Sequence, residues 1–372
     1  MKLLVITSAP IIYNDEKKFA YSPYVREMEI WQKYSSEIAF CCPVWEKDNG
    51  LLITEIPFHV SRHYKLEDFN ITSVINLLKA IPFSLISFFT IVKAMHDADH
   101  IHLRCPGNVG LLGSIAQIFF PRKKKTVKYA GNWDPNSPQP ISYKMQKWIV
   151  SNTFLSHNIK VLVYGEWPKM TNNIQPFFTA TYSEKDKMPL MDKNLKNEIN
   201  FVFVGTLVSG KNPIYALEII NGLYKKKYDV RLTMFGEGSE RKAIEDYIRN
   251  NNLQSIVTLE GNQNTETVKS AYQQSHFVIL PSQSEGWPKV IAEGMFWGCV
   301  PIATAVSCIP FMLDHGNRGI LLQMNLENDI ALLEKTLLNG NDFRLKSENA
   351  ALWSRNFTTD IFESQIKQFL QV

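Results

Sequence analysis

The sequence lacks most of what would tie it to a membrane span, a disulfide framework or a nucleic acid. Its most apolar stretch, INLLKAIPFSLISFFTIVKAM (75–95), is broken by Lys79, Pro82 and Lys93. It falls short of the roughly 20 apolar residues that cross a bilayer, so a buried or interfacial helix is expected. The five cysteines (Cys41, Cys42, Cys105, Cys299, Cys308) are odd in number, form no C-x-x-C pair and lie in or beside apolar segments. That pattern fits buried free thiols in a reducing compartment and implies no metal site. KLLVITSAP at the start is too short for a signal peptide, lacks its layout and reads as a first buried strand. No internal repeat or low-complexity segment is evident. A net charge of +4 is too mild to suggest nucleic acid, and 45% hydrophobic with 20% charged residues excludes a disordered chain.

What charge there is lies unevenly. Residues 1–190 hold 22 Lys+Arg and 16 Asp+Glu, an excess of +6; the remainder of the 40 and 36 is 18 and 20, or −2. The 372 residues suffice for two ordinary domains.

Strand-like and helix-like patterns alternate throughout, which predicts an α/β class with parallel sheets. LLVIT (3–7), EIAFCCP (37–43), HIHLR (100–104), TVKYA (126–130) and KVLVY (160–164) read as strands, with helices expected at 23–34, 72–96, 108–119 and 139–155. NFVFVG, VRLTMFG, VTLEG, HFVILP and CVPIAT read as strands of the second half. The polar segment 183–199 is the best linker, so the expected domains are 1–190 and 191–355, with a terminal helix at 356–372. Ligands of doubly wound sheets bind beyond the carboxyl ends of the strands.

The most informative stretch is SEGWPKVIAEGMFWGCVPIAT (284–304). Glu285 follows the apolar strand HFVILPS, and Glu293 stands eight positions on, inside a helix pattern. Pro288 occupies what reads as the first helical residue, where its missing N–H costs nothing. Between the two carboxylates lie the free N–H groups of a helix start, a ready anion site. A ligand with phosphate in the middle and hydroxyls at both ends fits this layout, as a nucleotide-sugar does.

This stretch resembles the Glu-x7-Glu motif of retaining glycosyltransferases of family 4, which have the GT-B fold of two facing Rossmann-like domains. FVFVGTLVSGKNP (201–213), LTMFGEGSERKAIE (232–245), VTLEGNQNTETVKSAYQQSHFVILPS (257–282) and CVPIAT (299–304) are similar to that family's segments in order and spacing. The resemblance covers roughly 201–325 well and 1–195 only in layout. It implies transfer of a sugar from a UDP- or GDP-sugar to a glycan or lipid-linked acceptor in surface polysaccharide assembly, with retention and with no metal or other cofactor. It implies an active site between the domains and a terminal helix that returns to the first. It also implies ribose contacts from Glu293, and contact of Glu285 with the transferred sugar or its departing phosphate. Diphosphate contacts would come from Gly205, Thr206, Lys211 and the backbone N–H groups around Gly286, Trp287, Lys289 and Val290, and Gly236 and Glu237 would approach the nucleotide. The bland alternatives are an exposed helix glutamate at 293, a loop carboxylate capping the helix at 285, and a ligand-free turn at Gly236. The family usually carries Arg next to Gly205 and a second cation at Lys211; Thr206 here removes one charge.

GTLVSGKN (205–212) also nearly spells a P-loop. Asn212 replaces the Mg²⁺-binding hydroxyl, Pro213 follows at once, and no convincing Walker B strand appears, which argues against an ATPase or GTPase.

In the first half the long segment SAPIIYNDEKKFAYSPYVRE reads as a functional loop, with Tyr24 and Arg26 near its end as acceptor-side candidates or packing residues. Arg104 after a strand would bind acceptor or phosphate. AGNWDP (130–135) falls where the family often places a sugar-contacting His, so Asn132 or Asp134 would supply that contact, with Trp133 beside them. GNVGLLG (107–113) has the small residues of a close-packing helix. Arg122–Lys125 form a basic run after apolar residues, which suits either an anionic membrane surface or a solvated turn. The expected location is cytoplasmic, including the inner membrane face. Two further functions stay open: a non-catalytic sugar-nucleotide or glycan-binding subunit, and a GT-B sugar-nucleotide epimerase.

Overall fold

Apolar runs bounded by loop residues become the central strands of two parallel sheets, each in its own unit. The computed structural model describes residues 1–48, 50, 52–67 and 74–370, and of 74–82 only the helical backbone. Unit 1 comprises Met1–Phe177 with Glu363–Val372, and unit 2 comprises Phe178–Phe362. The boundary drawn from the sequence at 190/191 therefore falls inside unit 2. Both units are α/β and Rossmann-like, as the alternation predicts.

Unit 1 contains β1 (Lys2–Ile6), β2 (Ile11–Asn14), β3 (Lys17–Tyr21), α1 (Ser22–Lys33), β4 (Glu37–Trp45), β5 (Ile53–Glu55), β6 (Arg62–Leu66), α2 (Val74–Asp97), β7 (His100–Cys105), α3 (Asn108–Ala116), β8 (Lys124–Tyr129), α4 (Ile141–Ser151), β9 (Ile159–Tyr164) and β10 (Ile174–Phe177). The order β10-β9-β8-β7-β1-β4-β6 is parallel throughout. Both faces of its central strands are covered, so β1, β4, β7, β8 and β9 are largely buried runs, whereas the edge strand β6 (RHYKL) is partly exposed. Period-2 alternation sends Leu4, Ile6, Ile101 and Leu103 into the core shared with α2 and α3. The opposite parity sends His102 under α1, where its ring lies 4.1 Å from Trp31.

The segment expected as a long loop is largely a β-meander. β2 continues the sheet beside the end of β4, β3 folds back antiparallel on β2, and β5 pairs β3. Asp15 adopts a positive φ of 52° in the two-residue turn. Residues 72 and 73, at the start of the expected 72–96 helix, lie outside the described residues. Gly110 and Gly113 do serve close packing: a Cβ on either would come 2.9 Å from Arg104 O or Leu103 Cδ2.

Unit 2 contains β11 (Ile199–Val204), α5 (Pro213–Lys225), β12 (Val230–Phe235), α6 (Arg241–Asn250), β13 (Val257–Gly261), α7 (Thr265–Gln274), β14 (Phe277–Leu280), α8 (Lys289–Phe296), β15 (Val300–Thr304), α9 (Ile309–Met312), β16 (Ile320–Leu322), α10 (Leu326–Leu337), α11 (Gly340–Ser354) and the first residues of α12 (Thr359–Leu370) up to the unit boundary. Its six parallel strands run β13-β12-β11-β14-β15-β16. By chain order that is 3-2-1-4-5-6. The order reverses between β11 and β14, and the crevice at such a reversal is where doubly wound sheets bind ligands. α8 lies so close to β14 that a Cβ on Gly294 would come 2.6 Å from Val278 Cγ1. From Glu363 on, α12 packs in unit 1: Glu363 accepts from Lys33 (3.0 Å) and Tyr34 (2.8 Å).

All five cysteines are buried and free. Burial pushes the Cys105 and Cys308 thiols up to about 12, so neither is a nucleophile at neutral pH.

Candidate functional site

The loops after β11 and β14 meet at the reversal point of unit 2. Lys211, in a short 3-10 turn after β11, donates from Nζ to Glu285 Oε1 at 2.6 Å. The carboxylate is nearly buried and the lysine half-exposed. Gln283 N–H donates to Gly210 O at 2.9 Å and holds the two loops together. The loop after β15 braces them: Ser307 Oγ and Cys308 Sγ both donate to Gly286 O, at 3.3 and 3.1 Å. Two residues assigned from the sequence to phosphate and sugar are therefore an ion pair at the point where topology predicts a ligand.

α8 begins at Lys289 with Pro288 as its N-cap, one position later than the sequence suggests, and no side chain caps it. Its first-turn N–H groups, including those of Lys289 and Val290, thus keep the positive end of the helix open to an anion. The side chain of Trp287 serves the scaffold. Its ring sits 5.4 Å from Phe357 and 6.1 Å from Trp353, anchoring the loop in an aromatic cluster. Open space lies over Gly205, where an added Cβ would meet only Phe203 at 3.9 Å. Thr206 is exposed beside it.

Gly236 is demanded by the protein itself. Its φ is 132°, and a Cβ there would lie 1.9 Å from Gly205 O. Leu207 N–H donates to Glu237 O at 2.9 Å, so the loops after β11 and β12 are stitched together. The Glu237 carboxylate pairs with Arg241 at 2.5 Å.

Glu293 is half-buried, and both of its oxygens are engaged. Thr181 Oγ1 donates to Oε1 at 2.5 Å and the fully buried Tyr272 hydroxyl to Oε2 at 3.2 Å. The exposed-glutamate alternative is thereby excluded. Burial, then the Glu293 charge, pushes the Tyr272 phenol well up, which keeps it a donor. A ribose contact would add to these bonds or displace Thr181. The space left beside Glu293 among Thr179–Tyr182 is only about 10 Å³. Thr181 and Tyr272 carry no sequence signal, because only the fold brings them to Glu293.

In unit 1, Arg104 does not stand open for a ligand. Its guanidinium donates to Glu27 Oε1 at 2.7 Å and stacks over Tyr24 at 4.8 Å. Lys128, 1% exposed, donates to Glu27 Oε2 at 2.7 Å. Burial alone would raise the Glu27 carboxyl, but Arg104 and then Lys128 outweigh it and hold it at about 2. Tyr24 is thus a packing residue, and Arg26, two positions on, is exposed. Asn132 and Asp134 each commit one side-chain oxygen to their own loop. Asn132 Oδ1 accepts Asp134 N–H at 2.9 Å, and Asp134 Oδ1 accepts Asn136 N–H at 2.8 Å. Trp133 is buried edge-on against Tyr129, ring centres 4.8 Å apart, with Lys147 5.4 Å over its ring.

Strand order in unit 1 reverses between β1 and β7, and a cavity of about 310 Å³ lies there. Ser8, Glu67, Asn108 and Tyr143 line it, none of them singled out in the sequence. A Cβ on Gly107 would come 2.6 Å from Ser8 Oγ, so that glycine lets the loops after β1 and β7 close on each other.

Asp97-Ala98-Asp99 has the Asp-x-Asp spacing of a metal motif, a pattern the sequence analysis does not single out. It lies at the amino end of β7, at the opposite end of that strand from the β1/β7 crevice of unit 1. Asp97 accepts Tyr64 OH and Asp99 accepts Lys2 N–H, both at 2.7 Å. Of the basic run, Lys123 Nζ donates to the carbonyls of His96 and Ala98, ending α2. Lys125 Nζ is buried against Gln117 O and Phe120 O. Only Arg122 and Lys124 of the four are exposed.

Comparison with known proteins places this geometry. An uncharacterized glycosyltransferase of Methanocaldococcus jannaschii is 29% identical over 188 residues, 45% of this chain and 52% of that protein. The chain thus spans about half the length of that curated relative. The structure of the lipopolysaccharide outer core galactosyltransferase WaaB superposes with a TM-score of 0.68 at 14% identity, over 99% of each chain. Anabaena HepE in complex with UDP and glucose superposes at 0.65 and 13% identity, over 99% of this chain and 98% of that one. The chain has the fold of GT-B glycosyltransferases, and its residues 187–352 match the family described as Glycosyl transferases group 1.

Proposed function

We propose that the protein is a retaining, metal-independent glycosyltransferase that moves a sugar from a nucleotide-diphosphate donor to a glycan or lipid-linked acceptor. The observation that carries this is the Lys211–Glu285 pair across the β11/β14 reversal point, beside the uncapped start of α8. The arriving diphosphate takes Lys211 from Glu285. Its charge then meets the lysine and the helix N–H groups, fixed donors that need not reorganise as the leaving group forms. Glu285, released, faces the transferred sugar. Glu293, held by Thr181 and Tyr272, stands ready for the ribose. The anomeric C–O bond to phosphate breaks, a C–O bond to the acceptor oxygen forms, and the acceptor proton passes to the leaving phosphate. The complex of HepE with UDP supports a UDP-sugar, and WaaB supports an acceptor of the surface-polysaccharide class. The 310 Å³ cavity at the β1/β7 reversal point is the acceptor side of this reading.

The same reading puts unit 1 on the inner membrane face. Leu85, Ile86 and Phe89 of α2 are exposed, as are Ile141, Met145 and Trp148 at one-turn spacing on α4. α3 packs between those two helices. Apolar side chains with Arg122 and Lys93 nearby in sequence suit an anionic interface. Among the described residues no helix is long and apolar enough to cross a membrane.

The test is donor hydrolysis followed by NMR of the released sugar, with UDP-glucose and UDP-N-acetylglucosamine. The α-anomer from an α-linked donor, lost in Glu285→Gln, supports the reading; the β-anomer refutes retention. Co-sedimentation with phosphatidylglycerol vesicles checks the membrane face, and no binding at low salt removes it.

A further inference from the structure

A second cavity in unit 1 lies at the opposite edge of its sheet, at the amino-terminal ends of β7, β8 and β9, and encloses about 490 Å³. That volume is in the range of small-molecule sites. Its lining holds Lys124, Lys125 and Lys160, with His100 and His157, and contains no carboxylate. A lining with three lysines and no acid is out of keeping with a chain of 40 basic and 36 acidic residues.

About half of its polar side chains are uncommitted, whereas Lys125, Ser156, Asn158 and Asn173 already donate to backbone carbonyls. The side chains of Lys124, Lys160, Thr153, Asn172 and Gln368 make no hydrogen bond or ion pair to other described residues. Thr126 links the cavity to the interior, meeting His100 Nε2 at 3.0 Å and His102 Nδ1 at 2.9 Å. His100 is 1% exposed, yet its Nδ1 has no partner. Buried polar atoms are normally satisfied, so an unmet one beside a cavity points to a missing ligand or water. Phe369 supplies an apolar wall.

The chemistry of this lining is a mixture of cations, amide and hydroxyl groups, and one aromatic ring. Cations alone would suit inorganic phosphate. Amides and hydroxyls beside an aromatic wall suit the hydroxyls and apolar face of a sugar ring. We propose that this cavity is a second ligand site, separate from the donor site, that takes an anionic sugar bearing a phosphate or a carboxylate. Two sources share that chemistry: a free sugar phosphate, and a charged unit within a glycan chain held away from the reacting end. The first makes the site a regulatory pocket and the second makes it a hold for an extended polymer.

Calorimetry on the full chain with four probes tests the site: glucose 6-phosphate, glucose, inorganic phosphate and a hyaluronan tetrasaccharide. Either charged sugar should bind at least tenfold more tightly than glucose and than phosphate alone. Preference between the two charged sugars decides the source. Lys160→Glu and, separately, Asn172→Ala should each weaken that binding, the former at least tenfold. Both residues are exposed, so the folded state is checked simply by an unchanged melting temperature. Lys211→Ala should leave it unchanged, since that residue belongs to unit 2. No binding by either charged sugar, equal binding of glucose or phosphate, or binding that survives both cavity variants would overturn the proposal. Loss of binding in Lys211→Ala would overturn it too, by assigning the ligand to the donor site.

Discussion

Replacing Glu27 by Gln removes the one anion between two cations sunk in unit 1. Lys128 is 1% exposed and Arg104 is stacked on Tyr24, so neither has an easy route to water. The folded Glu27 carboxyl sits at about 2 against an ordinary 4.5, a difference of about 2.5 units. At about 1.4 kcal/mol per unit, ionised Glu27 contributes about 3 kcal/mol. That agrees with the roughly 3–5 kcal/mol lost when one partner of a buried pair is deleted. For a unit of this size, about 2–4 °C per kcal/mol gives a fall of about 6–12 °C in the melting of unit 1. Because the folded pKa is depressed, the contribution is complete above about pH 4.5 and is lost as pH falls towards 2. The assay is calorimetric melting of wild type, Glu27→Gln, Lys128→Met and the double variant from pH 3 to 8. The gap between wild type and Glu27→Gln should be full at pH 7 and narrow below about pH 4. The double variant should regain part of the loss, since one stranded charge has gone. A gap below about 2 °C at pH 7, or one that does not change with pH, would be incompatible with an ion pair of this strength.

The other expectations concern the site loops and the histidines. Gly236→Ala forces a Cβ into Gly205 O and should cost about 2 kcal/mol or more in unit 2 stability; an unchanged melting temperature would contradict it. Thr181→Val should free one oxygen of Glu293 and, if ribose uses that carboxylate, change KM for the donor several-fold with little effect on folding. Burial, then Lys124, lowers His100 to about 4 from an ordinary 6.5, and burial, then Arg104, lowers His102. Both are neutral when folded, so their contribution is present above about pH 6.5 and is lost as pH falls towards 4. The protection factors of the β7 amides against hydrogen exchange should therefore fall over that window and change little above it.

Much of this architecture is legible in the sequence because buried parallel strands must be apolar along their length. The first-half strands at 3–7, 37–43, 100–104, 126–130 and 160–164, and the five second-half strands, are found for that reason. β2, β3, β5, β6, β10 and β16 are missed because they are short and most are partly exposed, as in RHYKL, and because the β2–β3 turn uses Asp15-Glu16 where a glycine would have announced it. Glu285 and Lys211 are legible through motif and spacing, and the fold joins them across 74 residues. Arg104 misleads because its position after a strand looks exposed, whereas α1 covers that face and supplies Glu27. Asn132 and Asp134 each give one side-chain oxygen to their own turn, which the sequence does not show, because Asx side chains serve turns as readily as ligands. Ser307, Cys308, Thr181 and Tyr272 leave no trace, since their parts depend wholly on loop–loop packing.

The functional reading rests on the β11/β14 reversal point of unit 2 binding the diphosphate of a nucleotide-sugar through Lys211. Calorimetric titration of UDP, GDP, ADP and their sugar conjugates into wild type and Lys211→Ala, without added metal, probes that contact itself. One nucleotide and its sugar conjugate should bind wild type, and Lys211→Ala should weaken both at least tenfold. Binding that is equal in the two proteins, that requires a divalent metal, or that is absent for all the nucleotides would contradict it.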